Sequence, residues 1–135
     1  MEKKAIKTSK APGAVGPYSQ GIRAGDLIFV SGQLPANAEG VLIIDDIAAA
    51  TRHSLENVNA VLSAAGAQMN DVVKATVFLT DMGDFSAMNK VYGEFFSDPF
   101  PARACIEVAA LPKGAKVEIE VIARGCNSST RTAIP

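Results

Sequence analysis

The chain has 135 residues, 48% of them hydrophobic, and a formal net charge of −1 at pH 7. This size fits one compact domain with its own core. The lack of a basic surplus argues against nucleic acid or an anionic membrane as a partner. Two cysteines without framework spacing, Cys105 and Cys126, favour free thiols in a reducing compartment. No apolar signal region follows the charged start and no apolar run approaches the ~20 residues of a bilayer span, so a cytoplasmic protein is expected.

The first third of the chain predicts a shaped loop followed by a hairpin. Residues 1–20 are a polar lead into a turn-rich stretch in which two prolines and two glycines fall within six residues. The segments 22–24 and 27–30 flank Gly25 and Asp26, a pair that favours a tight turn between two strands.

Two segments show the spacing of amphipathic helices. The first begins at Ile47, with Asp45 or Asp46 as its cap and Gly66 at its end. The second follows Asp84 and cannot continue past Pro99. Their apolar or small stripes are Thr51, Leu55, Val58 and Leu62 in the first, and Phe85, Met88, Tyr92 and Phe95 or Phe96 in the second.

Strand character returns at 72–80, 101–108 and 116–121, which completes the order β-β-α-β-α-β-β. We therefore predict an α+β fold, a mixed sheet with both helices packed on one face.

Alternation along the last strands sorts their side chains by face. It places Arg103, Cys105 and Glu107 on one side, and Glu118 and Glu120 together. Under the helices we expect Ala75, Val77, Leu79, Ala104, Ile106, Val108, Val117, Ile119 and Val121. On the other face we expect Phe29, Thr76, Phe78, Cys105 and Ile122, a set too apolar to face water. This face is therefore predicted to be buried against other subunits, with Arg103 and Glu118 at or near a subunit boundary.

Arg103 and Glu118 form the candidate chemistry. The guanidinium of Arg103 can donate two parallel hydrogen bonds to the carboxylate of a ligand. The carboxylate of Glu118, held near this cation, would stay ionised and could orient a water molecule. The alternative is structural: Arg103 in a cross-strand ion pair with Glu107, Glu118 or Glu120, and Glu118 as a solvated strand residue.

Other polar residues allow two interpretations or carry no catalytic signal. Tyr18 either lines a pocket or packs over an edge, and Ser31 with Gly32 permits a ligand to approach the backbone. Cys105 has no base beside it and is interpreted as a small buried hydrophobe. One histidine, His53, and two distant cysteines give no metal site, and no cofactor motif is present.

Several separated motifs together resemble the reactive intermediate deaminases, the RidA/YjgF family, over about residues 7–123. They are 16–20 (Gly-Pro-Tyr-Ser-Gln), 30–33 (Val-Ser-Gly-Gln), 54–57 (Ser-Leu-Glu-Asn), 101–103 (Pro-Ala-Arg), 111–113 (Leu-Pro-Lys) and 117–120 (Val-Glu-Ile-Glu). The resemblance implies a chorismate-mutase-like fold, a single domain at 1–124 with a tail at 125–135, and a homotrimer whose sheets face a central barrel.

The resemblance also implies an activity: hydrolysis, without metal or cofactor, of 2-iminobutanoate and 2-iminopropanoate released by pyridoxal-phosphate enzymes, giving 2-oxo acids and ammonia. Arg103 would bind the substrate carboxylate, the Cys105 backbone the imine nitrogen, and Glu118 the attacking water. Tyr18 would join Arg103 and Glu118 as a catalytic residue. Ser31, Gly32 and Asn89 would line the pocket.

Two other functions are weighed against this one. Relatives carry an endoribonuclease label, but a pI of about 5.8 and the lack of a histidine pair weigh against cleavage of single-stranded RNA. A non-catalytic trimer that binds small acids or client proteins is the third hypothesis. The presence of Arg103 weighs against it.

Overall fold

The computed structural model describes residues 2–125, which form one six-stranded mixed sheet and two α-helices. The elements are β1 (Lys3–Ile6), β2 (Gly21–Ala24), β3 (Leu27–Gln33), α1 (Ile47–Ala64), β4 (Val72–Leu79), α2 (Phe85–Phe95), β5 (Ala102–Glu107) and β6 (Val117–Arg124). Cys126 and all of the predicted tail except Gly125 lie outside the described residues. Within 2–125, no helix combines the length and apolar character that a bilayer crossing requires.

The strands lie in the order β1-β2-β3-β6-β4-β5. Only β4 and β5 pair in parallel, and α2 connects them; the other neighbours are antiparallel. The last strand, β6, therefore enters the middle of the sheet between β3 and β4, whereas β5 forms an edge. This topology puts Glu118 on a central strand and Arg103 on an edge strand.

The hairpin and both helices are confirmed. Strands β2 and β3 pair across Gly25 and Asp26, and all four predicted stripe residues of α1 are buried. The Asp46 carboxylate caps α1 by accepting the N–H groups of Ala48 and Ala49 at 3.0 and 3.3 Å. A mixed sheet with two helices therefore follows from the pattern of the sequence.

The prediction for the first residues was incomplete, since 3–6 form a strand, β1, that pairs with β2. Its sequence contains three exposed residues before Ile6, so its pattern shows no buried face. Such an edge strand is stabilised by its backbone pairing, which leaves little trace in side-chain periodicity.

One core lies between the helices and the sheet. It includes the fully buried Leu55, Val58 and Leu62 of α1, Met88 of α2, and Ile28, Val77 and Ile119 of the sheet. Burial of each such side chain stabilises the fold by about 1.5–3 kcal/mol. The core therefore covers one face of the sheet, and the other face, which no described helix covers, is called the open face.

The predicted orientation of β5 was wrong. Arg103 pairs with Ala75 and Cys105 with Val77, so both point to the side that the helices cover, because directly paired residues share a face. Ile106 instead pairs with Phe78 and is 44% exposed, and Ala104 lies on the same open side. Alternation fixes which residues of a strand share a face, but not which of the two faces is covered.

The open face of the sheet carries large apolar side chains, as predicted for Phe29, Phe78 and Ile122, beside the carboxylates of Glu118 and Glu120. Phe29 pairs with Ile122, and Phe29, Leu27 and Ile106 are each more than 40% exposed. Cys105, predicted to lie there, instead packs against the core. An apolar surface of this kind on a small protein is typical of an interaction face.

Candidate active site

A cavity of about 700 Å³ brings together four of the predicted site residues, Tyr18, Ser31, Gly32 and Glu118. Its walls come from the loop around Pro12, the end of β3, the loop around Gly40, and the turn at Pro112 and Lys113. Glu118 and Glu120 reach it from the central strand β6. The other three predicted residues, Arg103, Cys105 and Asn89, do not line it.

A buried glutamine holds the loop that carries Tyr18. Gln20 accepts the Thr8 N–H at 2.8 Å through Oε1 and donates through Nε2 to the carbonyl of Pro12 at 2.8 Å. These bonds attach the turn-rich segment to the start of β2 and leave Tyr18, 55% exposed, at the cavity. Sequence reasoning assigned Gln20 no role, although a polar residue directly before a strand was a signal that could have identified it.

An irregularity in the β3–β6 pairing places Ser31 and Gly32 at the cavity. The register shifts between Val30 and Gln33, so the two residues between them lie outside the regular ladder. The Ser31 hydroxyl donates to the Ser19 carbonyl at 2.6 Å, which ties this segment to the loop of Tyr18. Bulges of this type often redirect side chains and backbone near active sites.

Gly32 leaves the space in which the Glu118 carboxylate lies. A Cβ at position 32 would stand 2.6 Å from Glu118 Oε2 and 2.8 Å from its Cδ. No side chain can therefore occupy position 32 while Glu118 keeps this rotamer.

Substitution of Gly32 by alanine is expected to reduce catalysis without unfolding the protein. The added methyl group must push the Glu118 carboxylate away. If Glu118 is the base that the resemblance implies, this displacement costs about 10²-fold in rate. Two measurements on Gly32→Ala check this expectation: its kcat for the imine hydrolysis that the resemblance implies, and its thermal midpoint. A matched substitution, Gly93→Ala, has no atom within 4 Å of the added Cβ and should leave kcat unchanged. Wild-type activity in Gly32→Ala would contradict the importance of the Glu118 position.

The environment of Glu118 raises the pKa of its carboxyl above the ordinary value, mainly through burial and secondly through the charge of Glu120. The prediction that Arg103 keeps Glu118 ionised is not met within one chain, because the arginine lies on the other face of the sheet. A carboxyl with a raised pKa is better suited to exchange protons near neutral pH.

Neutralising Glu120 is expected to move the acidic limb of the pH–rate profile. Activity that needs ionised Glu118 falls as the pH drops through its pKa, and removal of a like charge lowers that pKa. In the plot of kcat against pH, the acidic limb of Glu120→Gln should therefore lie at lower pH than that of the wild type. Glu56→Gln, on the exposed side of α1, serves as control. A limb that stays in place, or moves to higher pH, would contradict the coupling between the two glutamates.

Arg103 lies against α2 in a second group of residues, which we call the arginine cluster: Arg103, Phe85, Asn89, Tyr92 and Cys105. Its Nη1 donates to Asn89 Oδ1 at 2.6 Å. The guanidinium carbon lies 4.7 Å from the ring centroid of Tyr92 and 5.6 Å from that of Phe85. The structure thus brings Asn89 to Arg103, as the resemblance implied for one pocket, although the cavity with Tyr18 is elsewhere.

Cys105 lies two residues beyond Arg103 on the same face. It is a free cysteine, and burial raises the pKa of its thiol more than the Arg103 charge lowers it. The thiol is therefore a poor nucleophile. Because β5 is an edge strand with β4 as its one neighbour among residues 2–125, half of its backbone N–H and C=O groups point outward and are free to contact a ligand.

Arg103 and Glu118 do not meet within one chain. Glu118 pairs with Phe78 on the open face, Arg103 pairs with Ala75 on the helix face, and β4 separates their strands. The site predicted from sequence is divided into a cavity with the carboxylate and a cluster with the arginine. Among residues 2–125, no group of three or more His, Cys, Asp or Glu side chains is arranged to hold a metal ion.

The fold and the site assign the chain to a class of small α+β proteins. Such a protein has a mixed six-stranded sheet, two helices on one side of it, and polar site residues divided between two places. Residues 8–125 match the family described as endoribonuclease L-PSP, and the chain belongs to this family. It is 56% identical, over 87% of its length and 94% of the other, to the RutC family protein y4sK of Sinorhizobium fredii. It is 49% identical to the 2-iminobutanoate/2-iminopropanoate deaminase of Escherichia coli K12, over 89% of this chain and 96% of that protein.

Solved structures confirm the fold. The crystal structure of RidA from Psychrobacter sp. PAMC 21119 superimposes with a TM-score of 0.86 at 46% identity, over 90% of this chain and 98% of that one. The resemblance to the RidA/YjgF family predicted from the motifs is therefore confirmed.

Proposed function

We propose that the protein hydrolyses reactive 2-imino acids, 2-iminobutanoate and 2-iminopropanoate, to 2-oxo acids and ammonia. The relatives named for this activity supply the substrate class. The observation that carries the proposal is the Glu118 carboxylate, which has a raised pKa and lies in a cavity against the bare backbone of Gly32. This is a suitable place for a base that handles a water molecule.

The chemistry requires only water and proton transfers. Glu118 takes a proton from water as the oxygen attacks the imine carbon, and the C=N electron pair moves to nitrogen, which then receives that proton. In the resulting carbinolamine Glu118 removes the hydroxyl proton and returns it to nitrogen. The C–N bond breaks, the C=O bond forms, and ammonia leaves. An imine carbon is already electrophilic, so orientation and one base supply useful acceleration.

The carboxylate of the substrate would bind to Arg103. A guanidinium and a carboxylate form two parallel hydrogen bonds, which fix the plane of the substrate as well as its position. The outward backbone groups of β5 at Cys105 would hold the imine nitrogen. Tyr18, Ser31 and Asn89 would complete the walls of the pocket.

We further propose that the complete site forms between copies of the chain in a homotrimer whose sheets face a central barrel. Two observations support this assembly: Arg103 and Glu118 lie on opposite faces of one sheet, and the open face exposes Phe29, Leu27 and Ile106. A neighbouring copy that covers the apolar face could bring its arginine cluster to this cavity. The particle should then have about three times the mass of the 14.1 kDa chain, which light scattering measures.

The experiment that tests the function couples the protein to a pyridoxal-phosphate enzyme, a threonine dehydratase, which serves as the source of 2-iminobutanoate. We expect faster decay of the imine and faster appearance of 2-oxobutanoate than in the spontaneous reaction. Heat-inactivated protein is the control. Imine decay at the spontaneous rate in the presence of folded, oligomeric protein would refute the proposal.

Ribonuclease activity, which the family description names, has less support in this chain. The sole histidine, His53, lies on α1 with its Nδ1 3.9 Å from Glu56 and does not line the cavity. The charged residues that line the cavity are two carboxylates, Glu118 and Glu120, and one cation, Lys113, so the cavity lacks the basic surplus that binds a phosphate backbone. Incubation of the same preparation with single-stranded RNA is expected to leave the RNA intact.

A further inference from the structure

The face of α2 that meets β5 carries Phe85, Asn89 and Tyr92, spaced i, i+4 and i+7. All three contact the Arg103 side chain: Asn89 by the 2.6 Å hydrogen bond, and the two rings at 4.7 Å for Tyr92 and 5.6 Å for Phe85. We infer that Tyr92 is a positioning residue whose ring holds the Arg103 guanidinium in the orientation that receives the substrate carboxylate. The inference rests on the proposed function.

Arg103 needs such support because it projects from an edge strand, where few neighbours restrain a long side chain. An arginine side chain has large rotamer entropy, and ordering it before the substrate arrives removes that cost from binding. An aromatic ring attracts the cation without accepting its N–H groups in the usual manner. One of the five N–H groups of the guanidinium donates to Asn89, and the others remain for the two oxygens of a substrate carboxylate.

The Tyr92 hydroxyl makes no hydrogen bond within the described chain, so the aromatic ring is the part of this side chain that acts on Arg103. Tyr92 is 5% exposed, and within the described chain its hydroxyl oxygen has no hydrogen-bond partner, which costs stability at a buried position. Burial raises the pKa of this hydroxyl more than the Arg103 charge lowers it, so the ring stays neutral. The contact with Arg103 is therefore one between a cation and a neutral ring, and not an ion pair.

The test measures KM and kcat for imine hydrolysis in Tyr92→Leu. We expect KM to rise about tenfold while kcat changes less than about twofold, because the ring orders the group that binds the carboxylate. Tyr92→Phe, which keeps the ring, should restore KM to within about twofold of wild type and should be more thermally stable. Tyr92→Met, whose longer and more flexible side chain adapts to the space left by the ring, replaces the leucine variant where that variant does not fold.

Phe96→Leu is the matched control for loosened packing. Its ring packs on Tyr92 with centroids 4.6 Å apart and is not one of the two rings that lie over Arg103. It should leave KM unchanged. A wild-type KM in Tyr92→Leu, or an equal rise in Phe96→Leu, would overturn the inference. Neither result would affect the proposed function, which fails separately if the wild-type protein leaves imine decay at the spontaneous rate.

Discussion

Replacement of Arg103 by alanine is expected to lower kcat/KM for imine hydrolysis by about 100-fold or more. The guanidinium is the cation that the arginine cluster holds in place, through Asn89 at 2.6 Å and the ring of Tyr92. Removal of one partner of a hydrogen-bonded charge pair in a desolvated site leaves the substrate carboxylate unpaired, which costs about 2–5 kcal/mol. Arg103→Lys keeps the positive charge but cannot donate two parallel hydrogen bonds to a carboxylate. Its kcat/KM should therefore lie between that of Arg103→Ala and that of the wild type.

The coupled dehydratase assay measures this effect against the spontaneous rate. Arg52→Ala is the matched control, since Arg52 forms an exposed ion pair with Glu94 at 2.9 Å on the helices, and pairs of this kind contribute little. Circular dichroism and light scattering establish that each variant is folded and assembled. If Arg103→Ala and Arg52→Ala showed the same kcat/KM, the carboxylate would bind elsewhere.

Replacement of Glu118 by glutamine is expected to lower kcat by about 10²–10⁴-fold, the usual contribution of a positioned base. The same change should stabilise the fold at neutral pH. The pKa of Glu118 is raised in the folded state, so its favourable contribution exists only below the unfolded pKa and is lost as the pH rises through the folded pKa. Ionisation of Glu118 therefore destabilises the native state, and glutamine removes that penalty.

Thermal midpoints of wild type and Glu118→Gln across a pH series measure the second effect. The gain in stability should be present at neutral pH and should disappear in acid, below the ordinary carboxyl pKa, where wild-type Glu118 is also neutral. Glu56→Gln provides the control for the loss of one negative charge at an exposed position. A variant that is both fully active and no more stable would contradict the role and the environment given to Glu118.

The sequence predicts best where side chains alternate or repeat against a core. The α1 stripe, the hairpin at Gly25 and Asp26, and strand β4 follow from periodicity because one face of each element is buried by neighbours. The cavity residues Tyr18, Ser31 and Gly32 are accessible to the same reasoning, since glycine and turn residues mark where the backbone departs from regular pairing.

Tertiary arrangement explains the failures. On β5, alternation could not reveal that Arg103 faces the helices, because an edge strand is only partly covered and its burial does not alternate. The insertion of β6 between β3 and β4 depends on long-range pairing, and it separates Arg103 from Glu118. The support of Arg103 by Tyr92 was hidden for a related reason: a stripe at helical spacing shows that a residue is buried, but not which residue it contacts.

The measurement that tests the account most directly mixes two strongly impaired variants, Arg103→Ala and Glu118→Gln, by unfolding and refolding them together in equal amounts. If each site takes its arginine from one copy and its glutamate from the neighbour, one site in three of every mixed trimer regains both residues, which is about one quarter of all sites in a random mixture. We therefore predict about one quarter of wild-type kcat per chain in the mixture, far above the residual activity of about one hundredth or less expected for either variant refolded alone. A mixture that stays inactive, although labelled chains show that mixed oligomers formed, would contradict a site shared between copies.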